Sequence, residues 1–429
     1  MSSTVSETVI ALGDCNNFYV SCERLFQPAL RGQPVGVLSN NDGCVVARSD
    51  ELKALGVAMG APAHTLQSLV RQHGITLLSS NYALYGDMSA RVMTVLGQFS
   101  PRLEVYSIDE AFLDMSGMTD PVAYAHHVRQ TVQHWTGIPL SIGLAPTKTL
   151  AKVANKQAKR QRCGVLALQD ETAQTAALAT LAVDELWGIS RRWGEKLRQQ
   201  GITTALQLRE ADPVQLRRVF SVVMARLVLE LRGISCLDLD TVNPPKKQLR
   251  ASRAFGRPLS ALSDIQPLLA GHVSRAAEKL RRQRSVTTGL LVFLHTNPFR
   301  TRDAQYRSSL YLPLPVASND TRVLLRAAMA GLAQIYQPGF RYHKTGVMLL
   351  DLHADSLRQG NLFEAEESEQ AARLMAVVDT INARLGRGTV RFARQGFNPR
   401  GGLRAERKTP AYTTRWDQLP RVKAGFPPG

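Results

Sequence analysis

The sequence predicts an α+β chain of more than one domain, and three observations carry that expectation. The first is content: 429 residues, 44% of them apolar, are enough to bury several independent cores. The second is a set of short apolar strands that run into acids, at Asp14 and at Asp109-Glu110. The third is a β-α-β-β-α-β order between Arg250 and Asp351, the split βαβ arrangement of a small ferredoxin-like domain.

Taken in order, Thr8 to Gly13 reads as a short buried strand that stops at Asp14, and polar Asn16 and Asn17 open the next segment. Leu103, Val105 and Ser107 alternate with Glu104, Tyr106 and Ile108, and an apolar run from Ala111 to Met115 follows Asp109-Glu110. This predicts two strands joined by a tight turn that displays both acids. Ser141 to Leu144 is another short strand, and Thr147 caps a helix with Leu150, Val153 and Ala154 on its apolar face. Two helical segments are expected to flank Gly188-Ile189-Ser190 between Asp184 and Gly201. The Pro-Lys stretch from Asn243 to Lys247 reads as an exposed linker and a domain boundary. Beyond it come a strand (Arg250 to Phe255), a helix (Asp264 to Arg282), strands (Thr288 to Thr296, Ser308 to Leu312), a helix (Thr321 to Tyr336) and a strand (Tyr342 to Asp351). The chain then turns polar and acidic through Glu369, offers a helix from Ala371 to Leu385, and ends in a basic tail.

A formal net charge of +18 and a pI near 10.1 point to a polyphosphate partner, nucleic acid ahead of an anionic membrane. The apolar runs Gly289 to Leu294 and Gly346 to Leu350 are too short to span a bilayer, so no membrane role is expected. The N-terminus carries no basic region followed by an apolar run, so no signal peptide is expected. Five scattered cysteines without a CxxC spacing predict neither a disulfide framework nor a zinc site, and fit a reducing cytoplasm.

Asp14 and Asp109-Glu110 lie far apart in sequence, yet one sheet can gather all three carboxylates. Such a cluster repels itself without cations; paired magnesium ions relieve that repulsion and suit phosphoryl transfer. A lone acid at a strand end is more often a plain turn residue, so the rest of the pattern decides. Lys148, Lys152 and Lys156 recur every four residues after Pro146, with Lys159 near the same face, which suits a triphosphate or an ordinary solvated face. Leu186 to Ser190, with Leu197 and Gly201-Ile202, has the layout of a helix-hairpin-helix, whose backbone N–H groups hold a DNA phosphate; an ordinary helical hairpin is the plain alternative. Gln359, Leu362 and Phe363 stand in a polar stretch and suit docking into a partner's pocket, although so short a motif also arises by chance. Arg281, Arg282 and Arg284 cluster at a helix end, where cations suit either a phosphate or the helix dipole.

The stretch Asp14-Cys15-Asn16-Asn17-Phe18-Tyr19-Val20-Ser21-Cys22-Glu23, with Tyr106-Ser107-Ile108-Asp109-Glu110-Ala111-Phe112, resembles the Y-family DNA polymerases. The tail, Lys408-Thr409-Pro410 with Tyr412 to Asp417, is similar to that of the UmuC-type branch, so the resemblance covers essentially the whole chain.

The resemblance implies a right hand: palm at residues 1–39 and 79–166, fingers at 40–78, and a helix-hairpin-helix thumb at 167–242. A linker at 243–247, a ferredoxin-like little finger at 248–353 and a C-terminal UmuC-type extension at 354–429 complete it. It implies two Mg2+ ions on Asp14, Asp109, Glu110 and the backbone carbonyl of Cys15. Tyr19 matches a steric gate against the 2′-hydroxyl, with Phe18 beside it, and Lys53 and Lys152 match triphosphate contacts. Gly188, Ile189, Ser190, Arg253 and Arg282 are the implied DNA contacts, and Gln359, Leu362 and Phe363 the implied sliding-clamp peptide. The implied partners are primer-template DNA, deoxynucleoside triphosphates, a processed UmuD-like dimer and RecA filaments, in a cytoplasmic, nucleoid-associated setting during the SOS response. Three positions depart from many family members: Asn16, where a second Asp is common, Asn17, where an aromatic is common, and Asp50, where a Tyr is common. The rival readings are a non-catalytic DNA-binding recruiter and another two-metal palm enzyme such as a nucleotidyl cyclase, separated from a polymerase by whether triphosphate turnover needs DNA.

Overall fold

The computed structural model describes residues 8–240, 244–357, 368–397 and 400–419. They form two compact units: Met1–Ser39 with Gly43–Asn243 and Arg407–Gly429, and Asn40–Asp42 with Pro244–Glu406.

The first unit opens with β1 (Ile10–Cys15), α1 (Phe18–Phe26), β2 (Val35–Leu38), β3 (Val45–Arg48), α2 (Asp50–Ala54), α3 (Gln67–His73), β4 (Thr76–Ser79) and α4 (Tyr82–Leu96). It continues with β5 (Leu103–Val105), β6 (Glu110–Asp114), α5 (Pro121–Thr136), β7 (Leu140–Ala145), α6 (Lys148–Gln161) and β8 (Val165–Ala167). Helices α7 (Glu171–Ala179), α8 (Arg191–Gln199), α9 (Ala205–Glu210), α10 (Pro213–Val219) and α11 (Val222–Leu231) complete it.

Its main sheet has the order β5-β6-β1-β7-β8, with β1 antiparallel to both neighbours. Both faces of β1 are buried, and the period of two decides which core each residue joins. Ile10 and Leu12, with Phe112 of β6, pack against Leu150, Ala151 and Val153 of α6. Ala11, with Ala111 and Leu113, packs against α4 and α5 through Leu84, Val92 and Val128. Asp14 and Glu110 continue the even-numbered set and therefore belong to the α6 face. Gly143 of β7 lets α6 lie against the sheet: a Cβ there would stand 2.2 Å from the Asn155 nitrogen. The buried Asn155 amide donates to the carbonyls of Leu12 (3.1 Å) and Ser141 (2.8 Å), tying helix to sheet.

A smaller sheet, β3-β2-β4, has a separate core of Leu38, Val45, Leu52, Val57, Leu66 and Leu77. Helices α7 to α11 share the apolar face of α6. One expectation is corrected here. The helical segment before Gly188 is a short 3-10 helix of three residues, Val183–Glu185, rather than a full α-helix. A bridge between Ala182 and Thr204 pins the chain just before it. Ser190 does cap α8, accepting from the Trp193 N–H, and Gly188 takes a positive φ of 89° that suits glycine.

The second unit contains β9 (Leu249–Leu259), α12 (Leu262–Arg282), β10 (Ser285–Thr296), β11 (Arg307–Ser318), α13 (Thr321–Ile335), β12 (Tyr342–Ala354) and α14 (Glu369–Arg384). Its antiparallel sheet runs β11-β10-β12-β9. Each β-α-β crossover therefore skips one strand, the split arrangement that the element order predicts; the second and fourth strands take the centre. Leu290, Val292, Leu294, Val347 and Leu349 pack against α12 and α13. The alternate residues of the same strands lie on the opposite face, where Arg250 covers the Phe293 ring at 4.6 Å.

Candidate active site

Antiparallel register sets Asp14 directly opposite Glu110, and the Cys15 N–H donates to the Asp109 carbonyl at 2.9 Å. Asp14 and Glu110, far apart in sequence, thus stand side by side at one end of β1 and β6, with Asp109 at the turn just before β6. Ser107 shapes the turn: its Oγ accepts from the backbone N–H groups of Asp109 (3.2 Å) and Glu110 (3.1 Å) and donates to Asp109 Oδ1 at 2.5 Å. On the other side, Ser141 Oγ donates to Asn16 Oδ1 at 2.9 Å, so Asn16 is held against β7.

Helix α6 brings its lysines to these acids. Lys159 Nζ lies 2.6 Å from Asp14 Oδ1, and Lys152 Nζ donates to both Glu110 oxygens at 2.9 and 3.0 Å. Lys152 also sits over the rings of Tyr106 (4.7 Å) and Trp187 (5.3 Å), and the Trp187 indole donates to the Tyr106 hydroxyl at 3.0 Å. Asp14, Glu110, Lys152, Lys159 and Trp187 line a cleft of about 250 Å3 that also includes Lys156 and Leu186. Burial raises the Asp14 carboxyl to about 6; Lys159 opposes that rise, and the charges of Glu110 and Asp109 add to it.

Lys148 does not join them. It is 4% exposed and donates to Glu104 and to the Asp238 carbonyl, so it is a structural pair rather than part of a solvated face. Spacing alone treats the lysines as equals; the depth of Glu104 separates them. Arg281 is corrected likewise, for it donates to both Asp379 oxygens of α14 at 2.7 and 2.8 Å. Arg282, paired with Glu278, and Arg253 on β9 are exposed. Gly188 and Ser190 are exposed and Ile189 is half-buried. Gln359, Leu362 and Phe363 lie outside the described residues.

Phe18 is buried in the core, so its ring is a support. Tyr19 is half-buried, stacked on Tyr85 at 4.4 Å and met edge-on by Tyr82 at 6.1 Å. Burial raises the Tyr19 hydroxyl above its usual range, with Tyr82 and the Asp109 charge adding to the effect. Lys53 belongs to a separate exposed network: its Nζ donates to Asn17 Oδ1 (2.6 Å) and Asp50 Oδ1 (2.9 Å), and Asn17 Nδ2 donates to Asp50 at 3.1 Å. Asn17 and Asp50, two of the three positions where the sequence was expected to depart from many family members, are thus in direct contact.

Among the described residues, no three His, Cys, Asp or Glu side chains form a cluster able to hold a metal ion. Lys152 and Lys159 are hydrogen-bonded to two of the three expected ligands. The donor chemistry nevertheless fits a hard divalent cation: Asp14 and Glu110 are oxygen donors paired across one sheet end, with Asp109 at the adjoining turn.

Sequence reasoning missed the pairing of Lys159 with Asp14, although its spacing from Lys152 places both on one helix face. It also missed the basic face of the second unit. There Arg250, Arg307 and Lys344 surround His295 closely enough, after burial, to lower its pKa. The alternation of Leu290, Val292 and Leu294 with Phe293 and His295 was the available signal.

Comparison with known proteins bears on this geometry. Residues 13–156 match the impB/mucB/samB family, 246–362 its C-terminal domain, and 372–422 a domain of unknown function (DUF4113). The chain is 42% identical over 422 residues to protein UmuC of Salmonella typhimurium, covering 97% of this chain and 100% of that one. The chain belongs to the UmuC-type Y-family DNA polymerases. This Y-family chain is also 30% identical over 414 residues to DNA polymerase IV of Pelotomaculum thermopropionicum, covering 92% of this chain and 97% of that one. In fold it is similar to a solved Y-family DNA polymerase chimera of Dbh and Dpo4, with a TM-score of 0.66 and 20% identity, covering 81% of this chain and 99% of that one.

Proposed function

We propose that this chain is a translesion DNA polymerase that extends a primer 3′-hydroxyl from deoxynucleoside triphosphates on a damaged or undamaged template. One observation carries the reading: the acids of β1 and β6 meet the lysines of α6 in a single cleft. Asp14, Asp109, Glu110 and the Cys15 carbonyl are the residues to hold two magnesium ions. When bound, these ions supply Lewis acidity at the attacking hydroxyl and the leaving pyrophosphate.

The chain's own groups do the rest. Lys152 and Lys159, which hold Glu110 and Asp14 in the cleft, are the cations placed to receive the triphosphate and would neutralise the departing pyrophosphate. Lys53 adds a further cation at the edge of α1. Tyr19 closes the floor beneath the sugar and bars a 2′-hydroxyl. The basic face of the second unit, with Arg250 and Lys344, and the Gly188–Ser190 turn with Arg253 and Arg282 grip the duplex by its phosphates. In hand terms, the first unit supplies palm, fingers and thumb, and the second the little finger. A role in SOS mutagenesis, with a processed UmuD-like dimer, RecA filaments and a clamp contact through Gln359, Leu362 and Phe363, completes the proposal.

The test is primer extension on an undamaged and an abasic template, with magnesium and each nucleotide, with and without a UmuD-like partner and RecA filament. Template-directed extension that continues past the abasic site supports the reading. No extension under any of these conditions overturns it in favour of a non-catalytic recruiter, and DNA-independent triphosphate turnover points to a different palm enzyme.

A further inference from the structure

The tail from Arg407 to Leu419 belongs to the first unit, although the whole second unit precedes it in sequence. It is tied to that unit at three points. Ser79 and Arg407 exchange hydrogen bonds: the Ser79 N–H donates to the Arg407 carbonyl, and the Arg407 N–H to Ser79 Oγ, each at 3.0 Å. Asn81, fully buried just before α4, donates to the carbonyls of Thr409 (3.1 Å) and Pro410 (3.0 Å) and to Thr409 Oγ1 (3.0 Å). The Tyr412 ring stacks on Phe26 of α1 at 4.9 Å.

The Thr409 hydroxyl passes this contact inward. It donates to Glu23 Oε1 at 3.2 Å, and the Tyr85 hydroxyl donates to the same oxygen at 2.6 Å. Glu23 and Tyr85 are both fully buried, and Glu23 Oε2 has no hydrogen-bond partner. A buried carboxyl left half-satisfied is a costly way to fill a core position that leucine would fill at less cost. What it provides is a shared acceptor that fixes the tail and α4 in one geometry. Tyr85 is the ring on which Tyr19 stacks, with an angle of 13° between planes. A continuous set of contacts therefore runs from Thr409 through Glu23 and Tyr85 to Tyr19.

We propose that Thr409 and Glu23 are positioning residues for Tyr19, so that the C-terminal tail sets how strictly the site discriminates deoxyribose from ribose. This rests on the reading of Tyr19 as the sugar gate. The tail lies within the segment that matches a domain of unknown function, and the inference gives part of that segment a task.

The full chain, under the conditions that support extension, serves for the test, with kcat/KM measured for a deoxynucleotide and its matching ribonucleotide. Tyr19→Ala should collapse the ratio of the two. Tyr85→Phe should lower it about fivefold, the usual worth of one hydrogen bond, and Thr409→Val at least as much, since it loses the bonds with both Glu23 and Asn81. Thr409→Ser, which keeps the hydroxyl, should hold the wild-type ratio. Variants that lower both rates equally would mark the tail as support only and overturn the inference. An unchanged ratio in Thr409→Val and Tyr85→Phe, with Tyr19→Ala relaxed, would also overturn it while leaving the gate intact. An unchanged ratio in Tyr19→Ala would remove the gate reading and the inference together. A second readout needs no activity: the fluorine resonance of 3-fluorotyrosine at position 19 should shift in Thr409→Val and not in Thr409→Ser. Identical spectra in both would overturn the proposal.

Discussion

Lys152 and Lys159 hold two carboxylates that are also the expected cation ligands, and this double use has measurable consequences. Lys152 and Glu110 are 15% and 19% exposed, so replacing the lysine leaves a largely buried charge unpaired. Lys152→Met should lower stability in chelator by about 1–3 kcal/mol, read as a lower thermal midpoint, and magnesium should restore part of the loss. The same variant should raise the nucleotide KM by roughly 10-fold or more, because one charge-assisted hydrogen bond to the triphosphate is gone. A midpoint unaffected by magnesium in wild type and variant alike would contradict the shared role. The acids themselves were legible, because strand periodicity and two abrupt acidic stops are local features. The fate of each lysine was not, because Glu104 and Asp14 differ in depth, and depth is set by elements far away in sequence.

The position of α6 controls the site at the scale of elements. Gly143→Ala would drive a Cβ into the helix backbone, 2.2 Å from the Asn155 nitrogen and 2.4 Å from the Ala151 carbonyl oxygen, neither of which can swing aside. We expect a loss of about 1–3 kcal/mol or more in unfolding experiments, together with reduced extension as the lysines leave the acids. In the second unit, burial, helped by Arg253 and Lys344, lowers His272 on α12 from 6.5 to about 4. Between those values the unfolded chain binds the proton and the folded chain does not. The stabilising effect is therefore complete above pH 6.5 and lost as pH falls toward 4, by at most about 3 kcal/mol. His272→Gln should flatten the dependence of the thermal midpoint between about pH 7 and pH 5; an equally steep dependence in the variant would refute the assignment. Strand and helix order in this unit was readable from period and caps, whereas in the first unit the segment before Gly188 is shorter than its sequence suggested, a three-residue 3-10 helix.

Across the whole molecule, the charge of +18 predicts DNA binding that weakens steeply with salt. Removing Arg250 and Lys344 together should reduce the slope of log affinity against log salt by roughly 0.9 for each phosphate no longer neutralised, with little change in sequence preference. An unchanged slope would take the open sheet face out of the DNA interface. Family, class and the acidic centre were legible because the motifs at Asp14 and Asp109-Glu110 are contiguous. The seat of the tail against Glu23 and Asn81 was not, because Thr409 meets Glu23 across almost the full length of the chain. The most direct test of the proposed catalytic centre compares wild type with Asp109→Ala in magnesium-dependent primer extension, with DNA affinity measured on the same preparations. Loss of extension with affinity retained is the expected result. Full extension by the variant would contradict the assignment of Asp14, Asp109 and Glu110 as the centre of catalysis.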